Sequence, residues 1–240
     1  MSKNATKEYY DKRWSSENSF DSPPNSERVN RIANACENIC VTIESPKILD
    51  VGCGNGWIIQ AVFERIGSSA NYFGLEPSLV GTKNSATRNP TATIRQGFLG
   101  DVVFPHSDIT ICSEVLEHID SQFKFLEDLV STLKPEGHLV LTTPNLKMKH
   151  RYFNETPVAN PQPIENWVDS ETLTSWFTQL GFVSEIIAFG GHFKKTLPER
   201  LFGKIVKMIG NQASTTTSAA PIDHSGLYLF AIAKRKSDFA

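Results

Sequence analysis

Two short segments of the sequence carry residue types that could do chemistry. Asp50–Gly56 places three glycines at alternate positions, and glycine lets the backbone pass close to a ligand because it has no side chain. Ser113–Ile119 contains two glutamates and a histidine, whose carboxylates and imidazole can take up a proton or bind a cation. We expect the first segment to bind a ligand and the second to act on it, provided that the fold brings them together.

The residues around the glycines predict a strand, a turn and a helix. Ile48, Leu49 and Val51 form a short apolar run, as expected of a strand that is buried on both faces. The helix after the turn repeats apolar residues at a spacing of three to four, and Gly67 is placed to end it. Its amino end would point at the turn, where free N–H groups and the helix dipole favour a carboxylate, a hydroxyl or a phosphate.

An acidic residue follows the next predicted strand. Asn71–Leu75 is typical of a strand and ends at Glu76, 20 positions after Gly56, where a carboxylate could accept hydrogen bonds from a ribose. A dinucleotide fingerprint would need its third glycine at position 57, which is Trp57. The spacing therefore favours a different nucleotide-like ligand over a dinucleotide.

Further strands and helices alternate along the rest of the chain. The pattern predicts strands at Asp108–Cys112, His138–Thr143, Phe182–Phe189 and Leu227–Ala233, and a third strand around Thr93–Phe98. A helix is predicted over Gln122–Leu133, followed by a turn at Lys134–Gly137, and a second helix is capped by Asp169 or Ser170 and ended by Gly181. This alternation predicts an α/β fold.

Four ordered motifs resemble those of class I S-adenosylmethionine-dependent methyltransferases, and most closely the ubiquinone-biosynthesis O-methyltransferase group. They are Asp50–Gly56, Glu76 with Pro77, Ser113–Ile119 and Thr142–Asn145. The resemblance implies a doubly wound, seven-stranded, mostly parallel sheet of Rossmann-like type, with the last strand antiparallel. It also implies an enzyme whose cofactor and methyl donor is S-adenosylmethionine.

The resemblance also implies roles for individual residues. The glycine turn would cradle the methionine part of the cofactor, Asp50 would hold its amino end and Glu76 its ribose. Many relatives carry an acidic residue near the adenine where this chain has Phe98, which could instead make apolar contact or be an ordinary core residue. The predicted cofactor-binding set is Asp50, Gly52, Cys53, Gly54, Gly56, Glu76, Pro77, Phe98, Leu99, Ser113 and Glu114.

Three interpretations of Glu114, Glu117 and His118 stay open. These residues lie at i, i+3 and i+4, so they would share one face if a helical turn follows the fourth strand. His118 could be structural while Glu114 faces the cofactor, or it could be the catalytic base for an acceptor hydroxyl. All three could instead bind a divalent metal, as in the ubiquinone and small-RNA 2′-O-methyltransferases that they resemble. The RNA-modifying group adds a downstream histidine, for which the segment after Asn145 offers His150.

Length and composition predict one domain over residues 1–240. The chain is 40% hydrophobic, and a net charge of -2 gives no general attraction for nucleic acid. No apolar run approaches the ~20 residues of a membrane span, and Met1–Lys7 lacks the core of a signal peptide. Four cysteines without metal-site spacing are expected to be reduced. We therefore expect a cytoplasmic protein.

Within this domain we distinguish cap helices (1–45), a cofactor-binding core (46–145), an acceptor loop (146–168) and a C-terminal part (169–240). The aromatic residues of Tyr9–Trp14 resemble a cap over the cofactor, although they could equally pack on outer helices. Segment 194–210 is amphipathic and basic: Lys194, Lys195, Arg200, Lys204 and Lys207 outnumber Glu199. Peripheral membrane contact is one interpretation, but we favour a helix packed by its apolar face.

The sequence thus predicts a methyltransferase that acts on an oxygen of a small-molecule acceptor, with nucleic acid and membrane partners not favoured. Three alternatives remain: metal-assisted methylation of an RNA 2′-hydroxyl, a non-catalytic cofactor-binding protein of the same fold and, least favoured, a dinucleotide-dependent oxidoreductase. The sequence indicates neither the acceptor nor the oligomeric state.

Overall fold

A seven-stranded sheet forms the centre of the computed structural model, which describes residues 2–16, 20–150, 152, 162–190 and 226–237. The strands are β1 (Lys47–Val51), β2 (Asn71–Glu76), β3 (Thr93–Gln96), β4 (Ser107–Ser113), β5 (Leu133–Pro144), β6 (Phe182–Phe189) and β7 (Tyr228–Arg235). Their order is β3-β2-β1-β4-β5-β7-β6. β1 to β5 are parallel, whereas β7 is antiparallel to both of its neighbours. The predicted fold class is confirmed.

Helices cover both faces of this sheet. They are α1 (Lys3–Trp14), α2 (Ser26–Cys40), α3 (Trp57–Ile66), α4 (Leu79–Arg88), α5 (Gln122–Ser131) and α6 (Ser170–Gln179), with short 3₁₀ turns at Gly67–Ser69, Leu116–His118 and Leu146–Met148. Asp169 caps α6, because its side chain accepts a hydrogen bond of 2.8 Å from the backbone N–H of Thr172. Gly67 follows α3, as the sequence predicts.

Apolar side chains form one core layer on each face. Ile32 and Cys36 of α2 and Ile59 and Val62 of α3 belong to the first layer. Leu126 and Leu129 of α5 and Leu173 and Phe177 of α6 belong to the second layer. The central strands are therefore buried on both sides, which explains why they are short apolar runs rather than alternating ones.

The start of β5 differs from the prediction. A turn was expected at Lys134–Gly137 because it contains proline and glycine, with the strand beginning at His138. Instead, β5 begins at Leu133, and the pairing with β4 shifts register between Ser107 and Ile109. The extra residues form an irregularity within the strand, where Glu136 has a positive φ of 62°. The strand pairs with β4 at Leu133 and again from His138. This pairing outweighs the preference of the residues between them for a turn.

Several predicted features lie outside the described residues. The amphipathic segment 194–210 is one of them, together with residues 151 and 153–161 of the acceptor loop. Among the residues that the structure does describe, no helix is long and apolar enough to cross a membrane. The four cysteines are free thiols, as expected.

Truncating Leu126 should test the packing of α5 on the sheet. Leu126 is fully buried, so Leu126→Ala should lower the free energy of unfolding by about 2–5 kcal/mol through lost apolar contact and a new cavity. Val183 on edge strand β6 is 64% exposed, and Val183→Ala should change that free energy by less than about 1 kcal/mol. Urea unfolding measures both values. Equal losses in the two variants would contradict the placement of α5.

Candidate functional site

A cavity of about 600 Å³ opens beside the glycine turn, at the carboxyl ends of β1, β2 and β4. Ligands bind at this edge of open α/β sheets. The predicted cofactor-binding residues on its wall are Gly52, Cys53, Gly54, Glu76, Pro77, Phe98, Leu99, Ser113 and Glu114. The fold therefore brings together residues from four separate strand ends, while Asp50 and Gly56 lie outside the wall.

The glycine turn is anchored to the end of β2. The backbone N–H groups of Gly52 and Cys53 donate to the carbonyl of Leu75 at 2.8 and 3.1 Å. A Cβ on Gly52 would collide with Val115, and one on Gly54 would lie 2.9 Å from the Trp14 ring. The first two glycines are therefore required by packing against protein side chains, and not only by a ligand.

The third glycine, Gly56, lies where α3 and α4 pack together. Gly56 precedes α3 with a left-handed φ of 80°, and a Cβ there would collide with Asn89 and Ser85. Its carbonyl accepts a hydrogen bond of 3.0 Å from the side chain of Asn89. Gly56 therefore lets α3 pack closely on α4, and its predicted contact with the cofactor stays a prediction.

Glu76 is the most constrained carboxylate of the cavity. It is buried, and its two oxygens accept hydrogen bonds from the backbone N–H groups of Gly54 at 2.9 Å and Ser78 at 3.0 Å. Burial raises the pKa of Glu76 to about 7, and the two backbone hydrogen bonds oppose this shift. The carboxylate ties the glycine turn to the start of α4 and borders the cavity, which is the position predicted for a ribose-binding group.

Asp50 is buried below the turn. Neither of its carboxylate oxygens has a hydrogen-bond partner among the described residues, an arrangement that costs about 1–3 kcal/mol or more. Burial raises the pKa of Asp50 to about 7, and the nearby Glu76 adds to the shift. An unsatisfied carboxylate at this position fits a hydrogen-bond donor or cation supplied by a ligand.

Helix α1 covers the cavity. The Trp14 ring packs on Gly54 and also on Gly81, where a Cβ would lie 2.9 Å from its Cδ1. One carboxylate oxygen of Asp11 accepts hydrogen bonds from the Ser78 hydroxyl at 2.5 Å and the Val80 backbone at 3.3 Å. This places Asp11 at the positive amino end of α4. The predicted aromatic cap thus lies over the glycine turn.

The segment after β4 is not one helical turn. Glu114 has a positive φ of 55°, which is uncommon for a residue other than glycine, and a 3₁₀ turn begins only at Leu116. Glu114 accepts a hydrogen bond of 3.0 Å from Thr142 and lies 3.2 Å from Nη1 of Arg28. The expectation of one shared helical face was therefore wrong, because Glu114 turns towards α2.

Glu117 and His118 form a pair beside the cavity. Glu117 is buried and accepts a hydrogen bond from Thr143 at 3.2 Å, while its other oxygen lies 3.5 Å from Nε2 of His118. Nδ1 of His118 lies 2.9 Å from the carbonyl of Ile164. Because a carbonyl only accepts, Nδ1 carries the proton in the neutral ring and Nε2 is left as the acceptor. Burial lowers the pKa of His118, so the neutral form is favoured.

The metal-binding interpretation of Glu114, Glu117 and His118 stays a prediction. In the part of the chain that the structure describes, no three His, Cys, Asp or Glu side chains are grouped to hold a metal ion. Glu114 pairs with Arg28, although it lines one cavity together with Glu117 and His118.

A second cavity of about 380 Å³ adjoins the first. Both cavities are lined by Arg13, Arg28, Glu114, His118 and Gln162. The second is mostly polar, and Glu165 and Trp167 of the predicted acceptor loop contribute to it. That loop is held on the segment after β4, because the backbone N–H of Asn166 donates to the Glu117 carbonyl at 2.8 Å.

Arg28 is a site residue that sequence reasoning missed. It lies in the first turn of α2, its side chain is only 13% exposed, and it lines both cavities. Its Nε is buried and has no hydrogen-bond partner among the described residues. The sequence around Arg28 does not indicate this role, because α2 carries none of the motifs that predict the site.

Comparison with known proteins agrees with this geometry. A family model described as a methyltransferase domain matches residues 19–185. The mitochondrial ubiquinone biosynthesis O-methyltransferase of Schizosaccharomyces pombe is 34% identical over 103 residues, covering 40% of this chain and 37% of that protein. A probable S-adenosylmethionine-dependent methyltransferase of Mycolicibacterium smegmatis is 27% identical over 199 residues, covering 80% and 72%. The chain thus spans less than half the length of the ubiquinone relative.

Solved structures show the same fold. The plantazolicin methyltransferase BpumL, in complex with a monoazolic desmethylPZN analog and SAH, has a TM-score of 0.61 at 14% identity, covering 97% of this chain and 90% of that one. A putative sarcosine dimethylglycine methyltransferase from Galdieria sulphuraria has a TM-score of 0.60 at 14% identity, covering 88% and 86%. Because the family model covers most of the chain, including the glycine turn and the segment after β4, the chain belongs to the methyltransferase-domain family and has the fold of class I S-adenosylmethionine-dependent methyltransferases.

Proposed function

We propose that this methyltransferase methylates an oxygen of a small-molecule acceptor. The main support is the meeting of two cavities at His118: one adjoins the glycine turn, and the other is polar and adjoins the acceptor loop. A methyl donor in the first cavity and an acceptor in the second would meet beside a neutral imidazole. The ubiquinone biosynthesis O-methyltransferases that the chain resembles favour oxygen as the acceptor atom.

The cofactor would occupy the larger cavity and supply an activated methyl group. Glu76 would accept hydrogen bonds from the ribose, and Asp50 would attract the amino group from below the turn. Phe98 and Leu99 are half-buried on the wall, where they would contact the adenine. Gly52, Cys53 and Gly54 would border the methionine part, with Pro77, Ser113 and Glu114 completing the wall.

Arg28 would bind the carboxylate of the methionine part. Glu114 occupies one edge of its guanidinium, while the buried Nε remains available as a donor. Together with Asp50, it would provide one anionic and one cationic group for a ligand that carries both an amine and a carboxylate. This proposal adds a residue to the predicted cofactor site.

His118 would act as the base. Its Nδ1–H is directed at the carbonyl of Ile164, which holds the ring in the tautomer whose Nε2 accepts a proton. The chain's further contribution would be alignment of the acceptor and exclusion of water by α1. A base is needed mainly when the acceptor is a hydroxyl that must lose its proton.

The affinity for S-adenosylhomocysteine should rise with pH. Asp50 and Glu76 have pKa values raised to about 7 in the ligand-free protein, and a ligand that donates hydrogen bonds or carries a cation favours their ionised forms. Binding should therefore release protons, so that affinity increases as pH rises from 6 to 8 and then levels off. Calorimetry across this range measures it.

Matched variants test the assignment of that pH dependence. Glu76→Gln should bind more weakly and with a flatter pH profile, whereas Glu64→Gln on exposed α3 surface should behave like the unchanged protein. A pH-independent affinity in the unchanged protein, or identical profiles for the two variants, would count against the proposed roles.

Replacing Arg28 should weaken only ligands that carry the carboxylate. Arg28→Gln should reduce the affinity for S-adenosylhomocysteine about 10- to 100-fold, because a charge-assisted hydrogen bond is lost. The affinity for 5′-methylthioadenosine, which lacks the amino-acid part, should not change. Arg31→Gln on the same helix is the control, since Arg31 pairs with exposed Glu27. Equal losses for both ligands would refute carboxylate binding.

His118→Gln should slow methyl transfer about 10²- to 10⁴-fold while leaving S-adenosylhomocysteine binding intact, because only proton removal is lost. The acceptor can be found by screening phenols, quinol precursors, sugars and small RNAs with labelled S-adenosylmethionine, and exposed His106→Gln is the control.

Turnover should persist in excess chelator. Loss of turnover in chelator would restore the metal hypothesis, and turnover only on amines would refute O-methylation.

A further inference from the structure

Tyr10 and Gln162 join two parts of the site that are 152 positions apart in sequence. The Tyr10 hydroxyl donates a hydrogen bond of 2.9 Å to the side-chain oxygen of Gln162. Tyr10 lies on α1 and lines the larger cavity, whereas Gln162 lines both cavities. The contact therefore lies where the cofactor side and the acceptor side meet.

On the cofactor side, the Tyr10 hydrogen bond adds to the other contacts that attach α1 to the site. Asp11 holds this helix at the start of α4, and Trp14 lies on the glycine turn. These two contacts fix α1 on the β2 side of the cavity. The hydrogen bond from Tyr10 reaches the opposite side, so α1 bridges the cavity rather than resting on one edge of it.

On the acceptor side, Gln162 lies shortly before Ile164, whose carbonyl orients the His118 ring. Two residues later, the Ile164 carbonyl lies 2.9 Å from Nδ1 of His118. The side chain of Asn166 then donates to the carbonyl of Ile119 at 3.2 Å. The Tyr10 ring also contacts the His118 ring edge to face, with centroids 6.4 Å apart. A displacement of Gln162 would therefore be transmitted to the imidazole.

We propose that Tyr10 and Gln162 are positioning residues whose hydrogen bond couples the position of α1 over the cofactor cavity to the orientation of His118. This inference rests on the proposed function, because it assumes that His118 is the base. Burial raises the pKa of Tyr10, so its hydroxyl remains a donor throughout the working pH range.

The coupling can be tested by the dissociation rate of S-adenosylhomocysteine, followed by tryptophan fluorescence after mixing with excess S-adenosylmethionine. Tyr10→Phe and Gln162→Met each remove one partner of the bond and should speed dissociation about fivefold. The double variant should be no faster than either single variant, because both changes remove the same bond. Tyr9→Phe removes a hydroxyl from the same helix and should have no effect.

A second measurement reports on His118 itself. In protein labelled with ¹⁵N-histidine, Tyr10→Phe should shift the imidazole signals of His118, assigned through His118→Gln, whereas Tyr9→Phe should leave them in place. Dissociation rates equal to those of Tyr9→Phe, multiplied effects in the double variant, or unshifted His118 signals would each overturn the coupling. Binding by the unchanged protein and the effect of His118→Gln on turnover test the proposed function separately.

Discussion

The carboxylate of Glu76 connects the parts of the molecule on which the site depends. It accepts hydrogen bonds from the backbone of the glycine turn and from the start of α4, so two loops on neighbouring strands share one anchor. The side chain is 3% exposed, and this burial disfavours the ionised form of the carboxylate. The hydrogen bonds from the two N–H groups favour the ionised form instead. Removing the carboxylate would leave two buried donors unsatisfied. The same group therefore joins the two loops and forms part of the cavity wall.

The opposite side of the site depends on a different kind of contact. Residues 162–168 have no regular secondary structure beyond a single bridge to Asn145, yet backbone and side-chain hydrogen bonds hold them against the segment after β4. Gln122 adds to this attachment, since its side chain donates to the carbonyls of Leu116 and Asn166. The imidazole of His118 is thus oriented by a loop. Functional residues often lie on loops that a scaffold of strands and helices positions.

Sequence patterns predicted the strand ends better than the geometry of the segment after β4. Gly52, Gly54 and Glu76 end or follow strands whose apolar runs are clear, so their meeting at one edge follows from the parallel order of the sheet. The spacing of Glu114 did not predict its geometry, because Glu114 itself has a left-handed φ and the 3₁₀ turn that carries Glu117 and His118 begins only at Leu116. Arg28 gave no signal, because an arginine on an amphipathic helix is ordinarily a solvated residue.

The sequence by itself determined the class of fold and the strand ends that carry the site, because these depend on local periodicity and on short motifs, and the resemblance of those motifs to a known family implied the methyl donor. Only the tertiary structure decided what each residue contacts. Gly56 packs against α4, Arg28 reaches the cavity from α2, and Tyr10 meets Gln162 across the site. Such contacts join residues far apart in the chain, and their geometry is set by how helices and loops pack on the sheet rather than by spacing in the sequence.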